Sequence, residues 1–232
     1  MAIKSFDFVK SVSIDYMHCV LQGISKLLIS LWFGSTHSDE SFSLYSYVDV
    51  VDERLSKIKP PSTISRMPRS ISQHFKYWKA SELRAWLLFY SVPILMDVMS
   101  TMHLYHYSAF VEAIYLLISD SISMEDLEKS HKLLCFFVHM FESLYGERYY
   151  TLNLHSLLHL SDSVRDIGPL WSHSCFPFEN ANGELLKLFH GTQYIDLQIV
   201  GAINVYQTLP LLTSDIENDS QVYKFVLQDE KS

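Results

Sequence analysis

Four groups of side chains in this 232-residue sequence have types and spacings suited to chemistry. Asp15-Tyr16-Met17-His18 sets a carboxylate and an imidazole three residues apart at an expected helix start. The two can share a hydrogen bond, and the carboxylate would then raise the histidine pKa. An N-cap role explains Asp15 equally well. His155 and His159 stand four apart, on one face of an expected helix. A chelating pair needs a third ligand, and HSLLH lacks the glutamate of HExxH, so a structural pair is the simpler reading.

The other two groups are Glu179 and a basic stretch. Glu179 lies in SHSCFPFENANGELL, among Phe176, Phe178 and Leu185. Near a helix start it can favour the dipole or be a carboxylate held for a metal, and nothing local decides between these. Arg66, Arg69, Lys76, Lys79 and Arg84 are interleaved with His74, Tyr77, Trp78 and Trp86. Residues 66–86 carry a net +4 within a chain of net −8. Local positive charge beside aromatic rings can hold phosphates and stack bases, and a solvated loop and helix face is the plain alternative. From this stretch we expect salt-sensitive binding to duplex DNA through Arg66, Arg69, Lys76 and Lys79. The acidic remainder argues against a wholesale cationic DNA-binding surface.

The elements that must position these groups read as helices. Met17, Val20, Leu21, Ile24, Leu27, Leu28, Leu31 and Trp32 recur at three- and four-residue spacing, which predicts a helix from Tyr16 to Phe33. A second is expected from Leu44 to Ile58, ended by Pro60-Pro61. Ser81 is placed to cap a long helix from Glu82 to about Met99, kinked or split at Pro93. His103–Ile118 and Met124–Tyr145 follow, the latter with a Ser123/Asp126 capping box and Gly146 as its stop. Leu152–Arg165, Phe178–Phe189 and Ile195–Tyr206 complete the set. Strand character is expected only in residues 6–14 and in the run VYKFVL of the acidic tail.

Bulk properties remove several function classes. Apolar residues reach 48% and aromatics 14%, which excludes disorder of the whole chain. Neither GxGxxG nor GxxxxGK[ST] occurs, so glycine-rich phosphate cradles are absent. Cys19, Cys135 and Cys175 are scattered and form no CxxC, which speaks against a disulfide framework or a cysteine-based zinc site and for a reducing compartment. The N-terminus lacks the pattern of a secretory signal, and Leu83–Met99 carries too many polar residues for a membrane span. No nucleophile–base–orienter set is visible that would make His18, His155 or His159 part of a hydrolase.

Taken in order, four segments look like one family. VSIDYMHCVLQGISKLLISLW, RMPRSIS, KYWKASELRAWLLFYSVPIL and YGERYYTLNLHSLLHLSDSVRDIGPLWSHSCFPFENANGELLKLFHGT resemble the C-terminal half of CACTA-type (En/Spm-like) transposases, over roughly residues 10–205. The resemblance implies a DDE enzyme with an RNase H-like core, in which two Asp and one Glu hold two divalent ions, Mg2+ or Mn2+, for DNA strand cleavage and transfer. Asp15 and His18 match the family's [Cys/Asp]-x-x-His element, and Glu179 matches the third acidic residue. The implied fold is mainly α: a helical insertion with remnants of an RNase H-like α/β core at the ends.

The implied domains are a residual core segment (1–18), the insertion (19–165), closing helices of the core (166–206) and an acidic tail (207–232). Both catalytic Asp motifs of the family lie upstream of its Asp-x-x-His element, and only fourteen residues precede Asp15 here. One carboxylate cannot anchor the ion pair, so the expectation is a transposase-derived fragment that is catalytically incompetent alone and binds no ion by itself. The resemblance also implies a nuclear location, though the chain shows no clear localisation signal. The alternative is a non-catalytic helical module that binds proteins or self-associates through exposed apolar surface.

Overall fold

The computed structural model describes residues 12–64, 66–188 and 190–214, and the chain divides after Cys175 into two compact units. The described residues are mainly helical and contain no strand. The strand expected in VYKFVL lies outside them, as does most of residues 6–14; Ser13 and Ile14 are non-helical without forming a ladder.

In the first unit the apolar spacing decides which faces turn inward. Helix α1 begins as a π-wound stretch, Met17–Ser25, and continues as Lys26–Phe33. It buries Met17, Val20, Leu21, Ile24, Leu28, Leu31 and Trp32, seven of the eight periodic positions. Helix α2 is Val48–Ser56, entered through the single turn Tyr45–Tyr47. Helix α3, Ile71–His74, runs into the turn Phe75–Tyr77. Helix α4 is a bent rod of Ala80–Ala85, Trp86–Tyr90 and Ser91–Leu95. Its middle section widens to π geometry one turn before Pro93, which has no N–H to return to the Phe89 carbonyl. The rod therefore bends and passes through the proline. It starts earlier than expected, with Lys79 rather than Ser81 at its N-cap, and ends at Leu95 rather than Met99.

Helices α5 (Thr101–Leu117) and α6 (Met124–Tyr145) form the packed centre of this unit. The Ser123 hydroxyl accepts from the Asp126 N–H, and the Asp126 carboxylate accepts from the Ser123 N–H in return. Gly146 ends α6 at φ +98°, a conformation essentially reserved for glycine. Between the two helices the rings of Phe110 and Phe137 stack at 4.6 Å, and those of His106 and Phe137 at 4.3 Å. Trp32 from α1 meets Tyr107 edge-on at 4.8 Å. The buried Tyr107 hydroxyl donates to Ser91 Oγ of α4 at 2.9 Å. Aromatic burial and a short internal hydrogen-bond chain thus join α1, α4, α5 and α6.

Helix α7 comprises Leu152–Ser156, a tight turn Leu157–His159, and Leu160–Ile167, ending at Gly168. Its first turn packs on the start of α1, as does the first section of α4. Gly23 makes that approach possible: a Cβ there would lie 2.5 Å from Asn153 Nδ2. In the second unit, helix α8 spans Phe176–Leu186 and helix α9 spans Ile195–Ser214.

Candidate functional site

Helix α1 starts where three polar atoms need partners, and Asp15 supplies them. One oxygen, Oδ2, accepts from the His18 N–H at 2.9 Å, which is the N-cap bond expected from the sequence. The same oxygen lies 2.6 Å from His18 Nδ1. Oδ1 accepts the backbone N–H of Cys175 at 2.8 Å, from 160 residues away. Capping and pairing are therefore both true of Asp15. Burial pushes its carboxyl up, but the N–H bonds from Cys175 and His18 outweigh this and leave it below the usual aspartate value.

Cys175 is the residue that the sequence reading left out. Its neighbourhood, SHSCFPFEN, also holds Glu179, yet no spacing rule links position 175 to position 15. Within the first unit, Asp15, His18 and Cys175 each offer a ligand atom, all within 4.8 Å of one another. The other two cysteines are different in kind. The buried Cys19 thiol points at the Asn153 carbonyl at 3.4 Å, and burial and the Asp15 charge push its pKa up to about 12. Cys135 lies 3.5 Å from His131 Nε2, one turn away on α6.

His155 and His159 meet edge-on at 5.4 Å on the exposed side of α7. Among the described residues they belong to no three-ligand group. Glu179 stands in the first turn of α8, exposed, where the helix dipole favours a negative charge.

The basic stretch is held from behind by carboxylates. Asp52 of α2 accepts the backbone N–H groups of Ile71 and Ser72, at 2.5 and 3.1 Å, capping α3 from a distance. Arg69 forms a fork with Glu82, Nε to Oε1 at 2.6 Å and Nη2 to Oε2 at 2.7 Å, and also donates to the Tyr77 carbonyl. Burial pushes the Glu82 carboxyl up; the Arg69 fork and the Lys79 N–H bring it below its usual value. Arg69 thus shapes the surface that Arg66, Lys76 and Lys79 present to solvent.

Trp78 and Trp86 are buried against each other, with ring centroids 5.8 Å apart, so neither offers a face to a base. Tyr77, 75% exposed, does. Arg84 turns the other way and hydrogen-bonds the buried Tyr16 hydroxyl beside Asp15. A separate cleft of about 850 Å³ lies between the end of α2 and α4, walled by Ile58, Pro61, Leu88 and Phe89. Among the described residues, no Asp, Glu, His or Cys lines it.

Comparisons of the chain with protein-family models, with curated proteins and with solved structures find no match.

Proposed function

We propose that this chain derives from a CACTA-type transposase and serves as a helical, DNA-contacting scaffold that does not cut DNA by itself. The observation that carries the reading is the braced basic surface. Arg66, Lys76 and Lys79 are exposed beside Tyr77, on a loop fixed by Asp52 and by the Arg69–Glu82 fork. A rigid cationic surface with an accessible ring suits phosphate contact with occasional stacking. The ordered transposase-like segments add the ancestry, with the helices of residues 19–165 in the place of the family's insertion and α8 and α9 in that of helices closing an RNase H-like core. Nuclear location and passage through DNA transposition belong to the same reading.

The residues present do not fit the divalent-ion pair that this ancestry implies. Glu179 is the one carboxylate carried over from the DDE set, and a single exposed acid cannot anchor two ions. Duplex DNA binding measured by fluorescence anisotropy between 50 and 200 mM salt tests the scaffold reading. Replacing Arg66, Lys76 and Lys79 by Ala should weaken binding and lower the salt slope by up to about three. Arg69→Ala should act through loss of the braced loop. Binding unchanged in the triple variant overturns the DNA reading. Labelled duplex ends with Mg2+ or Mn2+ should stay intact, and cleavage abolished by Glu179→Gln overturns the inactivity.

One observation favours a second reading, self-association. Helix α9 exposes Leu197, Val200, Val205, Tyr206, Leu209 and Leu211, and no described helix is long and apolar enough to cross a membrane. Exposed apolar surface of this extent normally has a protein cover. Light scattering should then show oligomers that Leu197→Glu with Leu209→Glu dissociates. A wild-type monomer at high concentration removes this reading.

A further inference from the structure

Asp15, His18 and Cys175 combine a carboxylate, an imidazole and a thiol, each offering a ligand atom within 4.8 Å of the others. We propose that these three side chains form a zinc site, independent of the DNA-contacting surface.

The donor set selects the metal. Thiolate and imidazole suit Zn2+, whereas Mg2+ and Ca2+ prefer all-oxygen shells. Ligand atoms around a tetrahedral zinc stand about 3.5 Å apart, given metal–ligand bonds of roughly 2.0–2.3 Å. The present atoms all lie within 4.8 Å, so binding requires them to draw in by about 1 Å. The His18 side chain is half-exposed, so its ring is within reach of solvent and of an ion.

The carboxylate needs little movement. The Cys175 N–H holds Oδ1 at 2.8 Å and the His18 N–H holds Oδ2 at 2.9 Å, which is the kind of outer support that orients ligating carboxylates. Zinc replaces the hydrogen bond now linking Oδ2 and His18 Nδ1; the Nδ1 proton leaves to solvent, with Nε2 carrying the ring's one proton, and the Cys175 thiol also gives up its proton to solvent. The exposed His18 side leaves room for water as the fourth ligand.

The site joins the start of α1 to the segment after α7, across 160 residues of chain. A metal clip closing so long a loop stabilises the first unit, because zinc binds the assembled set and not its separated parts.

Full-length protein, stripped with chelator and kept reduced, should bind one Zn2+ per chain by calorimetry. Co2+ in its place should give visible d–d bands and a near-ultraviolet thiolate charge-transfer band. Cys175→Ser should abolish the charge-transfer band. It should also weaken Zn2+ by more than the roughly 10–100-fold that loss of a merely supporting residue costs. Cys135→Ser, which removes the thiol beside His131, should change neither.

A second measurement uses the unaltered chain, so a folding defect in a variant cannot mask the answer. Zn2+ should slow iodoacetamide modification of Cys175 at least tenfold and leave Cys135 unchanged. Substoichiometric binding overturns the site. A charge-transfer band that survives Cys175→Ser, or protection of Cys135 in place of Cys175, overturns it too. DNA binding is not part of any readout, so this proposal and the scaffold reading fail separately.

Discussion

The helices before Cys175 and those after it use similar amounts of apolar sequence to opposite ends. Helices α5 and α6 bury Phe110, Phe137 and Phe141 completely, and even the polar Tyr107 and His106 have internal partners. Helices α8 and α9 bury none of their described side chains, although α9 is predominantly apolar. The difference lies in what covers each helix. Helix α6 gathers its apolar residues on one face, while α5 carries them around most of its circumference and is covered by α6, by Trp32 of α1 and by Ser91 of α4. In α9 they are likewise spread around the axis, at Leu197, Val200, Val205 and Leu209, and its described side chains stay at least partly exposed. Hydrophobicity alone does not make a core; neighbours that cover it do.

Core truncation should separate the two regions most sharply. Phe137→Ala is expected to cost about 3–5 kcal/mol in urea unfolding, because a stacked ring between two helices leaves a cavity. Leu209→Ala, 51% exposed in the wild type, should leave the main transition within about 0.5 kcal/mol. Equal effects would dissolve the contrast.

Acid sensitivity should also belong to the first region. His106 is fully buried, its Nε2–H donates to the Phe137 carbonyl at 2.8 Å, and burial lowers its pKa to about 4 from the ordinary 6.5. Between those values the unfolded chain holds the extra proton, so stability falls as pH falls, by about 3 kcal/mol across the window. His106→Leu should flatten this part of the profile, whatever it does to stability at neutral pH. Asp15 and Glu82, both held below their ordinary values of 3.8 and 4.5, add a further loss that sets in as pH falls through those values and grows below them. A pH-independent melting temperature from 6.5 to 4 would remove His106 from the core account.

Two smaller effects sharpen the picture at the edges of the core. Gly23→Ala forces its methyl against Asn153 and should cost about 1–3 kcal/mol, loosening the approach of α7 to the Asp15 turn. Ser123→Ala should cost about 1 kcal/mol, the ordinary value of a lost N-cap, read as a shift in urea midpoint.

Much of the helix map was legible because its signals are local. The three-to-four periodicity of α1, α5 and α6, the Ser123 cap and the Gly146 stop each act within a turn or two. Boundaries slipped where a distant group intervened. Helix α4 begins two residues early because Glu82, fixed by Arg69, accepts the Lys79 N–H. The basic stretch was legible as charge, but burial of Trp78 and Trp86 and the commitment of Arg69 to Glu82 were not.

From its sequence alone this chain was determined to be mainly helical, to carry an Asp-x-x-His turn at a helix start, and to concentrate positive charge between residues 66 and 86. Backbone hydrogen bonds within helices and the phase of apolar side chains are properties of neighbours, and neighbours are written in order. Only the tertiary structure brought Cys175 to Asp15, set Arg69 on Glu82 and sealed His106 beneath Phe137. Those pairings join positions far apart in the chain, and packing rather than local preference selects which of many compatible partners meet.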